Sequence, residues 1–275
     1  MPDGKPRKWA RAGLARALAI ANLAVVAALF ASGASQATAT GGATWTLDVY
    51  DARAALWQDP DTSACTSAAA QMMLNMVAYE SGAEYMAPPD AFAPRTAPLW
   101  QADTSHRTTE TLLGYERSNM TMLAASAGTD PHGWRNALNY YGWGSINAGV
   151  YRDAGYSTFD AAARAVVSSV ARSRHPAGIL ARSGRHAQIV TGFVATGDDP
   201  RIGDNFTIVG VYVTDPLRSA AMRDVWVPLE EWLSGPDTIR FATYLQTDSP
   251  YRDVIDGGVG MTEWYGKWVI VSAVR

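Results

Sequence analysis

The chain has a single cysteine, Cys65, among its 275 residues. No disulfide can form within it, so the fold depends on its hydrophobic core. Histidine is nearly as scarce. The four present, His106, His132, His175 and His186, lack metal-ligand spacing, and "DDPRIGDN" (198–205) lacks the order of a calcium loop. No metal or other cofactor is therefore expected. Internal repeats, low-complexity linkers, nucleotide-binding motifs and transporter-like segments are also missing. Their absence excludes a repeat array or an ATP-driven machine.

Positive charge is in short supply beyond the N-terminus. The opening stretch holds Lys5, Arg7, Lys8, Arg11 and Arg16, then an apolar run from Ala17 to Phe30, then Ala37-Thr38-Ala39. This is the layout of a secretory signal peptide, expected to be cleaved after Ala39. An uncleaved anchor is the alternative, but the run is shorter than the ~20 residues a spanning helix needs. Paired arginines are absent, which points to the general export pathway. Without those five basic residues and Asp3, the net charge moves from −3 to −7, the wrong sign for a nucleic-acid partner. The expectation is a secreted or cell-surface protein without stable membrane insertion, forming a single domain over residues 40–275.

Hydrophobic residues make up 48% of the sequence, enough for an ordinary core. "ATWTLDVY" (43–50) alternates as a first strand. A helix follows through Cys65, with Thr62 or Ser63 as cap and Gly82 beyond its end; Ala69, Met72, Met73, Met76 and Val77 recur at helical spacing. Residues 83–128 hold Pro88, Pro89, Pro94 and Pro98 and read as a surface excursion or lid, with one short helix near Thr109–Tyr115. "TDPHGWRNALNYYGWG" predicts a second helix, capped by Asp130, with Pro131 in its first turn and Gly142 at its left-handed end. "STFDAAARAVVSSVARSRHP" predicts a third. The strands come next: "AGILA", "AQIVTGFV", "FTIVGVYVT", "DVWVPL", "RFATYLQ" and "GKWVIVSAV". Helices followed by an antiparallel sheet define an α+β fold, a helical half packed on a sheet.

Cys65 falls in the first turn of its helix, where free backbone N–H groups and the helix dipole favour a thiolate. A buried, inert thiol would occupy the same position. The decision rests on a partner. His106, His132 and His175 read as exposed, whereas His186 stands at the mouth of an apolar strand. If that strand pairs antiparallel with the next, Val194 opposite Thr207, then His186 falls opposite Asp215. A carboxylate there orients an imidazole. Gln58, shortly before Cys65, is a candidate donor to a developing oxyanion, although a surface glutamine in a turn would look the same.

A Gln shortly before a helix-starting Cys, a distant "His-Ala" strand and an "Asp-Pro" strand end together resemble the papain-like cysteine peptidases. The chain is most similar to the bacteriocin-leader-processing, double-glycine peptidase-like branch, cysteine peptidase family thirty-nine. The likeness runs from Trp57 to Arg275 and includes "GWRNALNYYG" and "WYGKWVIVSAV". It implies a papain-like fold, with Cys65 as nucleophile, His186 as base, Asp215 as orienting acid and Gln58 as oxyanion donor. The sequence departs from the family in Cys65-Thr66-Ser67-Ala68 and in Arg185 before the His. The Gln58–Cys65 spacing is also one residue longer than in papain-type enzymes. The implied activity is hydrolysis of peptide or protein amide bonds. The alternatives are a cell-wall amidase or transamidase using the same nucleophile, and an inactive binding module.

Overall fold

A computed structural model describes residues 42–54, 63–80, 106–121, 128–217, 222–246 and 263–274. Gln58, Thr62, Gly82, the segment 1–39 and most of the 83–128 excursion lie outside the described residues.

Among the described residues, seven antiparallel strands form one sheet. They are β1 (Thr44–Asp48), β2 (Tyr151–Tyr156), β3 (Ala177–Ala181), β4 (His186–Gly197), β5 (Phe206–Thr214), β6 (Val225–Pro228) and β7 (Trp268–Ala273). The order is β2-β7-β3-β4-β5-β6. β3 pairs with the first half of β4, and β1 pairs with its second half. β5 takes the other edge of β4, so β1 and β3 share one edge in tandem.

The helices are α1 (Cys65–Glu80), α2 (His106–Ser118), α3 (Pro131–Trp143), α4 (Phe159–Ser173) and α5 (Leu229–Ser234). They cover both faces of the sheet rather than one. α1 and α3 pack with Leu180, Ala187, Ile189, Val269 and Val271 in one core. α4 and Trp232 of α5 pack with Ile179, Val190, Phe193, Val211 and Ile270 in the other. Alternate residues of a strand face opposite sides, so the near-continuous apolar runs of β3 and β7 supply both layers. The mixture of helices and an antiparallel sheet is the α+β class expected. β2 was not anticipated: "YRDAGY" carries no apolar alternation and is held as an edge strand by β7. "RFATYLQ" is not a strand; Tyr244 is instead tied by backbone hydrogen bonds to Lys267 and Gly266.

α1 is buried all round: every residue from Thr66 to Ala78 is buried. A helix covered on all sides is central to its layer, and α2, from within the expected excursion, is one of its covers. α3 starts as expected, with Asp130 Oδ1 accepting from the Gly133 N–H at 2.8 Å and Pro131 in the first turn. Its left-handed end is Gly144 (φ 80°), not Gly142, which sits against Leu74. Gly178 of β3 is required by the α3 layer, because a Cβ there would come within 2.3 Å of the Trp134 ring. Gly178→Ala is expected to cost about 1–3 kcal/mol through overpacking, read as a lower urea midpoint. An unchanged midpoint would mean that Trp134 moves aside freely.

Candidate active site

Cys65 is the first residue of α1 and is half-buried. Its backbone N–H is among those a helix start leaves without an intrahelical partner. The thiol therefore sits beside free N–H groups and at the positive end of the helix dipole. Its side chain is in hydrogen-bonding reach of the His186 ring. His186 opens β4 and is buried. The His186 Nε2 lies 2.8 Å from Asp215 Oδ1, which leaves Nδ1 as the ring nitrogen for the sulfur.

Asp215 is fully buried. Burial alone would raise its pKa, but the hydrogen bond from His186, the imidazole charge, Gln188 and the Leu217 N–H together hold it below the usual carboxylate value. The group is thus an anion, and Nε2–H is the donor. Its Oδ2 accepts from Gln188 Nε2 at 2.8 Å, and its Oδ1 also accepts from the Leu217 N–H at 2.7 Å. For His186, burial is the largest influence and pulls the pKa down. Hydrogen bonds to Asp215 and Cys65, with their negative charge, more than reverse this and raise it to about 9. The imidazole is therefore positively charged at neutral pH.

The structure brings Cys65, His186 and Asp215 together, though not through the expected register. Val194 pairs with Gly210, and Ile189 with Thr214. The hairpin is offset by two residues from the expected register at both ends, and by three between the irregularities at Val190/Gly192 and Val194/Ala195. Continued by one step, the ladder places Asp215 opposite Gln188 and diagonal to His186. A shift of two keeps every side chain on its face, and a diagonal neighbour remains within reach of a long side chain.

Gln188 was not singled out in the sequence. Its amide also donates to the Thr238 carbonyl at 2.7 Å, fixing Asp215 to the segment after α5. The signal for it is its place two residues after His186, on the same face of the strand. Glu116 of α2 was missed too. It is fully buried, and its Oε2 accepts from Thr66 Oγ1 at 2.8 Å and Ser67 Oγ at 2.9 Å, the two residues after Cys65. Its Oε1 is buried with no hydrogen-bond partner. Burial raises its pKa to about 8 against the opposing effect of the two hydroxyls, and nearby Asp130 adds to the rise. Nothing in the sequence around Glu116 marks it, because its environment is built from α1 and α3.

His132 and His175 depart from their expected exposure. His175 is buried and packs beside both Trp143 and Tyr151. His132 is mostly covered and faces Asp153 at 3.4 Å and Glu263 at 3.2 Å. The ligand atoms of His132, Asp153 and Glu263 lie within 4.8 Å of one another. Asp153 is already engaged by Arg135 at 2.8 Å and by Trp264 Nε1 at 3.1 Å. The contacts of Asp153 with Arg135 and Trp264 join β2 to α3 and to the approach to β7. Among the described residues no helix is long and apolar enough to cross a membrane.

No family model, curated protein or solved structure matches the chain.

Proposed function

We propose that this protein is a cysteine-type hydrolase of papain-like fold that cleaves peptide amide bonds, exported by the signal in residues 1–39. The observation that carries the reading is the buried His186–Asp215 pair set against a thiol at the head of a buried helix. A charged imidazole and free helix N–H groups both stabilise a sulfur anion. The Cys65 thiolate attacks the substrate carbonyl carbon, and the oxyanion is met by the Cys65 N–H, with Gln58 as the proposed second donor. As the tetrahedral adduct collapses, the C–N bond breaks and the amine leaves with the proton from His186. Neutral His186 then takes a proton from water, the hydroxide adds to the thioester, and the C–S bond breaks to release the acid and the thiolate. Asp215 holds the ring throughout and stabilises its positive form.

The test is hydrolysis of a fluorogenic peptide set, together with iodoacetamide labelling followed by intact mass. Cys65 is expected to label rapidly at pH 6, where ordinary thiols are largely protonated, and Cys65→Ala to abolish hydrolysis. Labelling that becomes fast only in alkaline solution would remove the reading.

A further inference from the structure

A cleft of about 730 Å³ lies against the turn that leads into His186. Arg182, Ser183, Arg185, Asp237, Leu245 and Gln246 line it. One wall is the β3–β4 connection, which runs directly into His186. The other contains Asp237, whose neighbour Thr238 accepts from the same Gln188 amide that holds Asp215. The cleft is thus walled by the segments that lead into His186 and anchor the Gln188 amide on Asp215.

Its charge is uncompensated. Arg182 and Arg185 have no acidic partner among the described residues, while Asp237, the one acid of the lining, is paired with Arg240. Arg182 Nε is buried without an acceptor. A buried guanidinium donor left unpaired is unfavourable, and a carboxylate is the acceptor that fits its geometry.

The backbone presenting these groups is held out of its ordinary range. Arg182, Ser183 and Gly184 are consecutive left-handed residues, at φ 50°, 58° and 85°. Only Gly adopts this region without penalty, so Arg182 and Ser183 are held there by the surrounding structure. The turn is clamped in place: the Ser183 carbonyl accepts from the Leu245 N–H at 3.1 Å and from Gln246 Nε2 at 2.7 Å. Gly184 lies so close to Tyr244 that a Cβ would come within 2.4 Å of the ring.

We propose that this cleft is a subsite for a substrate carboxylate, so that the enzyme acts on peptides carrying an acidic side chain or a free chain end next to the scissile amide. The inference rests on the cysteine-hydrolase reading above. Arg182 and Arg185 recognise the carboxylate, and the clamped turn fixes them relative to His186.

The first experiment compares the labelling of Cys65 by iodoacetate and by iodoacetamide, near-isosteric reagents that differ in charge. The iodoacetate-to-iodoacetamide rate ratio is expected to fall about tenfold in Arg182→Gln/Arg185→Gln and about threefold in Arg185→Gln, whose side chain is exposed. The second compares kcat/KM for capped peptides differing only as Glu or Gln, and for neutral peptides differing only as free or amidated C-terminus. The favoured source of the carboxylate is the pair that shows a preference of about tenfold or more, lost in the double variant. A reactive Cys65 with an unchanged reagent ratio in both variants overturns the subsite and leaves the hydrolase reading standing. So does the absence of a preference in both peptide pairs. A Cys65 that labels with neither reagent overturns both.

Discussion

Replacing His186 with glutamine is expected to slow iodoacetamide labelling of Cys65 at pH 6.5 by a factor of at least about 100. The imidazole is charged there because its pKa stands at about 9, held up by Asp215 and by the sulfur itself. Removing that charge takes away the nearest positive group to the thiolate and leaves only the helix N–H groups. Glutamine is preferred to alanine because its amide can still donate to Asp215, which would otherwise remain as a buried, poorly compensated anion. Breaking a buried ion pair from one side costs on the order of 3–5 kcal/mol, and that loss would confuse a kinetic reading. His186→Ala serves as the harsher control, its fold checked by circular dichroism and urea unfolding. A labelling rate unchanged in His186→Gln would detach His186 from the thiol.

Glu116→Gln is expected to flatten the dependence of stability on pH. The acid has a pKa of about 8 in the folded protein against 4.5 for a free side chain. Between those values the folded state holds a proton that the unfolded state has lost, so stability falls as pH rises from about 4.5 to about 8. At 1.36 kcal/mol per unit the whole window is worth about 5 kcal/mol as an upper figure. Gln is neutral throughout and still accepts from Thr66 and Ser67. The variant should match the wild type near pH 4.5 and exceed it by several kcal/mol above pH 8. His186 acts in the same direction: its raised pKa contributes stability below 6.5 that is lost as pH rises through about 9. That contribution is common to both proteins and cancels in the comparison. Urea unfolding from pH 4.5 to 9 reads the difference. Parallel curves would mean that Glu116 meets solvent or a counter-charge when ionised.

Local chemistry made much of this legible in the sequence. Asp130 and Pro131 start α3 as their residue types require, and β3 and β5 fall on the apolar runs that predicted them. The three members of the candidate site were readable because a helix start, a strand start and an Asp-Pro strand end are each marked locally. The register between β4 and β5 was not readable, since its two-residue offset is set at the loop end, where the long polar connection does not fix which residues pair. β2 escaped notice because an edge strand needs no apolar alternation. The burial of His175 and Glu116 was invisible for a related reason. Each is enclosed by helices or strands distant in sequence, and the apolar periodicity of α2 around Glu116 says nothing of what covers it.

Cys65 begins the first described α-helix, while His186 begins a strand reached only after three further α-helices and two strands. Asp215 comes later still, at the end of β5. The thiol therefore acquires its partner only when the long-range part of the sheet has formed, the slow step for a chain rich in non-local pairings. A nascent or unfolded chain carries an ordinary cysteine, and no fragment ending before β5 holds the complete set. The labelling rate of Cys65 is thus an internal reporter of folding: its rise during refolding times the docking of α1 against the β4–β5 hairpin.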